Sequence, residues 1–156
     1  MSCCGETMTE NVVASCPVSG TVGKPVGLQT VKGLLRETAL RRASTRPHRF
    51  CADPACNVVY FDEAGSVYGR DDLRVPVWEK EAFGTRMICY CFGENEADIR
   101  AELEKVGASH AVARVRAHIA AGRCACEIRN PRGVCCLGDM TAAVERVRQA
   151  LGQGKP

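Results

Sequence analysis

Six of the eleven cysteines in this 156-residue chain fall in one late pattern, Cys89-x-Cys91, then Cys124-x-Cys126, then Cys135-Cys136. Thiolates grouped beside Gly and Pro can converge on a soft or borderline metal centre, and this grouping points to a metal cluster. A secreted disulfide framework is the first competing reading, because 11 cysteines in 156 residues approach the density of small disulfide scaffolds. Three observations oppose it. The count is odd, neighbouring and one-apart cysteines bond each other poorly, and Met1-Ser2-Cys3-Cys4 lacks the basic and apolar regions of a signal peptide. Reduced thiols packed as small hydrophobes are the plainer reading, but they would have no reason to gather in loops.

Composition narrows the classes further. No apolar run approaches a membrane span, so a soluble cytoplasmic chain with no membrane partner is expected. A formal charge of +3 from 21 basic and 18 acidic residues is mild. Basic residues alternate with acidic ones and no aromatic stripe accompanies them, which excludes a nucleic-acid partner. The one basic concentration, Arg41, Arg42, Arg46, His48 and Arg49, reads as a solvated helix end. Aromatic content of 5% leaves metals to supply stability that large side chains do not. No phosphate loop, GxSxG or HExxH occurs, and acids such as Glu94, Glu96, Asp98, Glu102 and Glu104 spread along helix faces.

The elements that must position the thiols divide near residues 76–86. The predicted class is α+β: a flexible Cys-containing start over residues 1–11, a small strand and helix unit over 12–80, and a helical unit over 81–152. In the first unit, Asn57-Val58-Val59-Tyr60-Phe61 and Gly65-Ser66-Val67-Tyr68 read as strands joined by a hairpin turn at Asp62-Glu63-Ala64-Gly65. A helix is expected over residues 30–42, with Leu34, Leu35 and Leu40 apolar. In the second unit, Ile99, Leu103 and Val106 make a helical stripe ending at Gly107. Val112, Val115 and Ile119, capped by Ser109, make another ending at Gly122. Val144, Val147 and Leu151, capped by Asp139, make a third ending at Gly152. The cysteine pairs then fall before the first of these helices, after the second and at the start of the third, where backbone N–H groups suit a thiolate-bound iron cluster.

Cys89-x-Cys91, a gap of 32 residues and Cys124 resemble the 2Fe-2S site of the bacterioferritin-associated ferredoxin family, whose pattern ends in CxxC. The longer final loop here, Cys124 to Cys136, resembles the N-terminal region of CopZ-type copper chaperones. That second resemblance extends through Cys16-Pro17, Cys51-x4-Cys56 and Val58-Val59-Tyr60-Phe61, over roughly residues 12–150. It implies a 2Fe-2S cluster on four thiolates, two per iron. Six candidates compete for the four places. Cys89, Cys91, Cys124 and Cys136 are the expected set, with Cys126 and Cys135 as substitutes. A Rieske-type site is disfavoured, because His48, His110 and His118 stand away from the cysteines and read as surface or packing residues.

The same resemblance implies a zinc ion on Cys16, Cys51 and Cys56. The family's first knuckle reads CPxCG, whereas this chain has Cys16-Pro17-Val18-Ser19-Gly20, so Ser19 replaces a ligand. The fourth place is left to Asp53, His48 or an N-terminal cysteine. Cys3 and Cys4, with Met8 nearby, suit a soft ion such as Cu(I). No MxCxxC of the kind that marks the family's further metallochaperone domain occurs, since Cys89 and Cys91 have one residue too few between them. The expected function is therefore one-electron transfer tied to copper or soft-metal handling, with a redox or metal-transfer protein as partner. A ferredoxin-like partner of another redox enzyme and a non-redox zinc and thiol module are the alternatives.

Overall fold

A computed structural model describes residues 14–153; Cys3 and Cys4 lie outside the described residues. The mixed α and β architecture follows from one buried run. Val58, Val59, Tyr60 and Phe61 have the branched and aromatic side chains that favour strands, and they form β3 (Val58–Asp62), buried at every position. It is an inner strand of a four-stranded antiparallel sheet built with β1 (Lys24–Val26), β2 (His48–Phe50) and β4 (Val67–Gly69) in the order β1-β2-β3-β4. Val59 and Tyr60 join Val31, Leu35, Phe50, Tyr68 and Leu73 in one core. Val58 and Phe61 pack instead with Cys16, Cys51 and Cys56. The predicted hairpin is present: Gly65 has φ +89°, and the Asp62 carboxylate accepts from the amides of Ala64 and Ser66.

The helix expected over residues 30–42 is instead two pieces, α1 (Leu28–Leu34) and α2 (Glu37–Leu40). Leu35 is extended between them because its backbone bridges Leu73. The Arg36 amide donates to Asp72 and the Arg74 amide to Leu34, so strand-like pairing overrides helical propensity here. The basic concentration is likewise not a helix end throughout. Only Arg41 and Arg42 follow α2; His48 and Arg49 lie in β2, and His48 is buried, its Nδ1 on the Arg46 carbonyl.

The second unit opens with a short hairpin, β5 (Met87–Cys89) and β6 (Glu94–Asn95). α3 (Glu96–Val106) ends as expected at Gly107, left-handed at φ +78°. α4 (Ala111–Ala120) has His110 as its N-cap; Ser109 stands one residue before it and accepts from the Ala111 amide. A four-residue helix, α5 (Cys126–Arg129), is too short for periodicity to announce. α6 (Leu137–Gln153) begins two residues before Asp139 and runs one past Gly152. Asp139 is not its cap, because that carboxylate is engaged by Arg132. Ile88, Ile99, Val115, Met140 and Val147 form this unit's core together with Cys89, Cys126 and Cys136.

Ion pairs fix the helices over that core. Arg114 bonds both Glu94 and Glu102 through its guanidinium. Buried Glu96 accepts from the Gly84 and Arg86 amides and from the Arg86 side chain, which orders the approach to Cys89.

The two units interlock. The Tyr60 hydroxyl in β3 donates to the Pro131 carbonyl at 2.5 Å. The Thr30 hydroxyl donates to the Glu127 carbonyl. Gly133, at φ +69°, lies where a Cβ would come within 2.7 Å of Thr30 Oγ1. The Tyr90 hydroxyl donates to the Pro76 carbonyl and accepts from the Trp78 amide.

Two outcomes follow. Tyr60→Phe leaves the Pro131 carbonyl without its buried donor and lowers unfolding free energy by about 1–3 kcal/mol, read from urea midpoints. Glu102 is held at a pKa of about 2, below its ordinary 4.5, chiefly by the Arg114 guanidinium, with burial opposing. Its folded-state pKa is depressed, so its contribution is complete above the ordinary value and is lost as pH falls from 4.5 towards 2. Glu102→Gln therefore shows a shallower loss of stability across that window than the natural chain.

Candidate metal centres

Cys16, Cys51 and Cys56 form the one group of three or more possible ligands that lie within 4.8 Å of one another among the described residues. All three are buried. Cys16 and Cys56 sulfurs stand 3.9 Å apart, close to the edge of about 3.8 Å that a tetrahedron with ~2.3 Å metal–sulfur bonds requires. Two loops bring them together. The first is a knuckle closed by Cys16 N–H to Thr21 and Gly20 N–H to Cys16, with Gly20 at φ +76°. The second runs from the end of β2 to the start of β3.

The surroundings suit thiolates. Burial raises the Cys16 pKa, but hydrogen bonds from the Ser19 and Val18 amides and the Ser19 hydroxyl outweigh it and leave the thiol below its ordinary value. Burial pushes Cys51 up, against donors from Ser19 and the Asp53 amide and the charge of Lys80. Lys80, itself buried, donates to the Asp53 and Cys56 carbonyls. Three thiolates with a divalent ion leave one negative charge, which this ammonium balances. The donor set and its charge thus fit zinc. Lysine in a linker gives no sequence signal for such a role, and Lys80 went unrecognised there.

The fourth place is not filled by the acid or imidazole expected. Asp53 turns its carboxylate to the Ala55 amide, and His48 faces Tyr68 at 5.7 Å between ring centroids. Ser19 Oγ is the oxygen beside the thiols, 3.5 Å from Cys51 Sγ.

In the second unit, four of the six late thiols meet in two pairs. Cys91 and Cys126 sulfurs are 3.7 Å apart, again a tetrahedral edge. Cys136 beside Cys89 lowers the Cys89 thiol to about 7, and Cys89 in turn raises that of Cys136. The pairs therefore run across the loops and not within Cys89-x-Cys91. Cys126, one of the two substitutes, is the thiol that meets Cys91. Cys124 is half-buried against the core and Cys135 is exposed, and neither belongs to a pair.

Backbone donors line three of the four sulfurs. The Ala125 amide donates to Cys91 Sγ at 3.2 Å, the Phe92 and Cys91 amides to Cys89, and the Cys136 amide to Cys126. Burial and the neighbouring Cys91 still push Cys126 up to about 12. Four buried or half-buried thiols in two pairs, with amide donors on three of the sulfurs, fit a cluster that takes two thiolates per iron.

Comparison with known proteins bears on both halves of this geometry. Residues 13–74 match the sequence family described as zf_CopZ, a zinc binding domain. The chain is similar to the N-terminal region of CopZ. It is 32% identical over 121 residues to the copper chaperone CopZ of Archaeoglobus fulgidus, covering 78% of this chain and 57% of that protein. The chain thus spans little more than half the length of that relative. The X-ray structure of the Archaeoglobus fulgidus CopZ N-terminal domain superposes with a TM-score of 0.64 at 27% identity, over 82% of this chain and 95% of that one. The zinc-domain match contains Cys16, Ser19, Cys51 and Cys56 and ends before Lys80.

Lys80→Met removes the charge and both carbonyl bonds while keeping an apolar stem. Apparent zinc affinity, measured against a chromophoric chelator, is expected to fall about 10-fold or more.

Proposed function

We propose that the chain is a CopZ-like metal-handling protein that carries zinc on Cys16, Cys51 and Cys56 and a 2Fe-2S cluster on Cys89, Cys91, Cys126 and Cys136. The observations that carry the cluster reading are the cross-loop contact of Cys91 with Cys126 at 3.7 Å and the packing of Cys89 and Cys136 in the same core. Those contacts support Cys126 over Cys124 as the fourth ligand. They also leave Cys124 and Cys135 as free thiols beside the centre. A 2Fe-2S cluster there supplies one electron at a time, the change that takes Cu(II) to Cu(I).

The chain's own residues provide the setting. Amides of Cys91, Phe92, Ala125 and Cys136 donate to three of the four sulfurs and favour a bound anionic centre. Ile88, Ile99 and Met140 exclude water on the inner side. Exposed Cys135 adjoins Cys136 on the outer side, where a soft ion meets a soft donor. The zinc-binding match and the copper chaperone relative support the metal-handling reading. Copper as cargo and a redox or metal-transfer protein as partner complete the proposal.

Anaerobic reconstitution tests it. The natural chain and Cys124→Ala are expected to hold about two irons and two sulfides per chain, and Cys126→Ala to lose them. A colourless protein containing zinc alone would leave only the non-redox zinc and thiol module. Mixing dithionite-reduced protein with Cu(II) is expected to restore the oxidised visible bands. Failure of that step with the cluster intact would point to a ferredoxin-like partner of some other redox enzyme.

A further inference from the structure

Three arginines line a groove of about 340 Å³ between the helix break at Leu35 and the chain that follows β4: Arg36, Arg70 and Arg74, with Asn57, Asp71 and Glu81 beside them. Buried Leu73 and Val77 supply its apolar side. Crossed backbones hold two of the guanidiniums in place. Leu35 and Leu73 bridge each other, and the arginine one residue past each of them returns to the opposite carbonyl: Arg36 Nε donates to Leu73 at 2.8 Å and Arg74 Nε to Leu35 at 3.2 Å. Each bond spends one N–H and leaves four on the terminal nitrogens. Arg74 gives one of these to Glu37 at 2.7 Å, and Arg70 gives one to Glu81 at 2.8 Å. Both pairs are well exposed and are therefore weak and easily displaced. Arg36 enters none of the ion pairs among the described residues. The groove thus offers one unpaired guanidinium and two loosely paired ones, and two of the three are already oriented.

We propose that this groove binds a small anion through carboxylate or phosphoryl oxygens, with Arg36 and Arg74 as its bidentate contacts. A planar guanidinium presents two parallel N–H groups that match the paired oxygens of either anion, and a fork fixed by its Nε loses less freedom when it binds. Arg70 turns from Glu81 to the ligand, the Asn57 amide offers a further donor, and Leu73 and Val77 pack against carbon. The volume lies at the low end of the roughly 300–1,000 Å³ of small-molecule sites. It suits a compact metabolite. The site is independent of both thiol groups, although Asn57 follows Cys56 directly. Carboxylates and phosphoryl groups share this chemistry, and the choice between them is open to direct test.

Nitrogen-resolved NMR of the full chain tests it, with the Nε–H signals of Arg36 and Arg74 assigned by their loss in Arg36→Gln and Arg74→Gln. Two probes are titrated separately, inorganic phosphate and tricarballylate, each against sodium chloride of equal ionic strength. Saturable shifts of both arginine signals are expected with at least one probe. Saturation by phosphate alone assigns a phosphoryl ligand, by tricarballylate alone a carboxylate, and by both an oxyanion of either kind. Followed by the Arg74 signal, Arg36→Gln is expected to weaken binding about 10-fold or more. Arg36→Lys keeps the charge without the fork, perturbs the fold least, and is expected to weaken it as well. Arg100→Gln, on an exposed helix face elsewhere, is expected to bind as the natural chain does. Shifts that only drift, as they do in sodium chloride, overturn the proposal. Natural affinity in Arg36→Gln overturns it too, and natural affinity in Arg36→Lys overturns the bidentate contact.

Discussion

The hydroxyl of Tyr60 sits in the middle of a strand with no water to bond, and its one partner is a carbonyl 71 residues further along, that of Pro131. A buried phenol without an acceptor is costly, so this bond dictates where the loop carrying Cys126 and Cys136 can lie. Thr30 and Gly133 make the same demand from the neighbouring helix, through a hydroxyl on one side and a missing Cβ on the other. Tyr90 repeats the arrangement in reverse. It stands between Cys89 and Cys91, yet its side chain reaches away to Pro76 and Trp78. Each of the two loops that carry the paired late thiols is thus tied by a tyrosine hydroxyl bond that leaves the loop: one loop supplies the Pro131 carbonyl, the other the Tyr90 hydroxyl.

Electrostatics then makes the gathered sulfurs tolerable. Like-charged thiolates in a low-dielectric interior repel, and every one that is buried needs a compensating donor. The two centres meet this need differently. At the first, a buried ammonium stands beside the thiols and amides of a tight knuckle point at Cys16. At the second, compensation comes from loop and helix-start amides alone, with Arg132 held off by Glu79 and Asp139. Arg132 thereby stiffens the loop without donating charge to the cysteines. Glu94 lies near enough to oppose ionisation of Cys89, and Arg114 restrains it.

Much of this was legible in the residues. The β3 run, the turn at Gly65, the helix end at Gly107 and the gathering of cysteines in loops all rest on local patterns that survive folding. What was not legible depended on partners distant in sequence. The break at Leu35 requires Leu73, the early start of α6 requires Arg132 to have taken Asp139, and α5 has only four residues. The choice between Cys124 and Cys126 is of the same kind. Spacing points to Cys124, at the 32-residue gap, and only the position of Cys91 across the fold favours Cys126. Lys80 carries no motif because its function is a charge delivered to two carbonyls, which many sequences could supply from many positions.

Gly133 shows what this sharing of parts means for the history of the chain. Its left-handed backbone and bare Cα serve Thr30, a residue of the other unit, and Tyr60 serves Pro131 in the opposite direction. Neither unit can drift in sequence without the other following at these points. The boundary visible in composition therefore separates two groups of thiols but not two independent inheritances, and a lineage that kept one group while discarding the other would have to rebuild the surface between them.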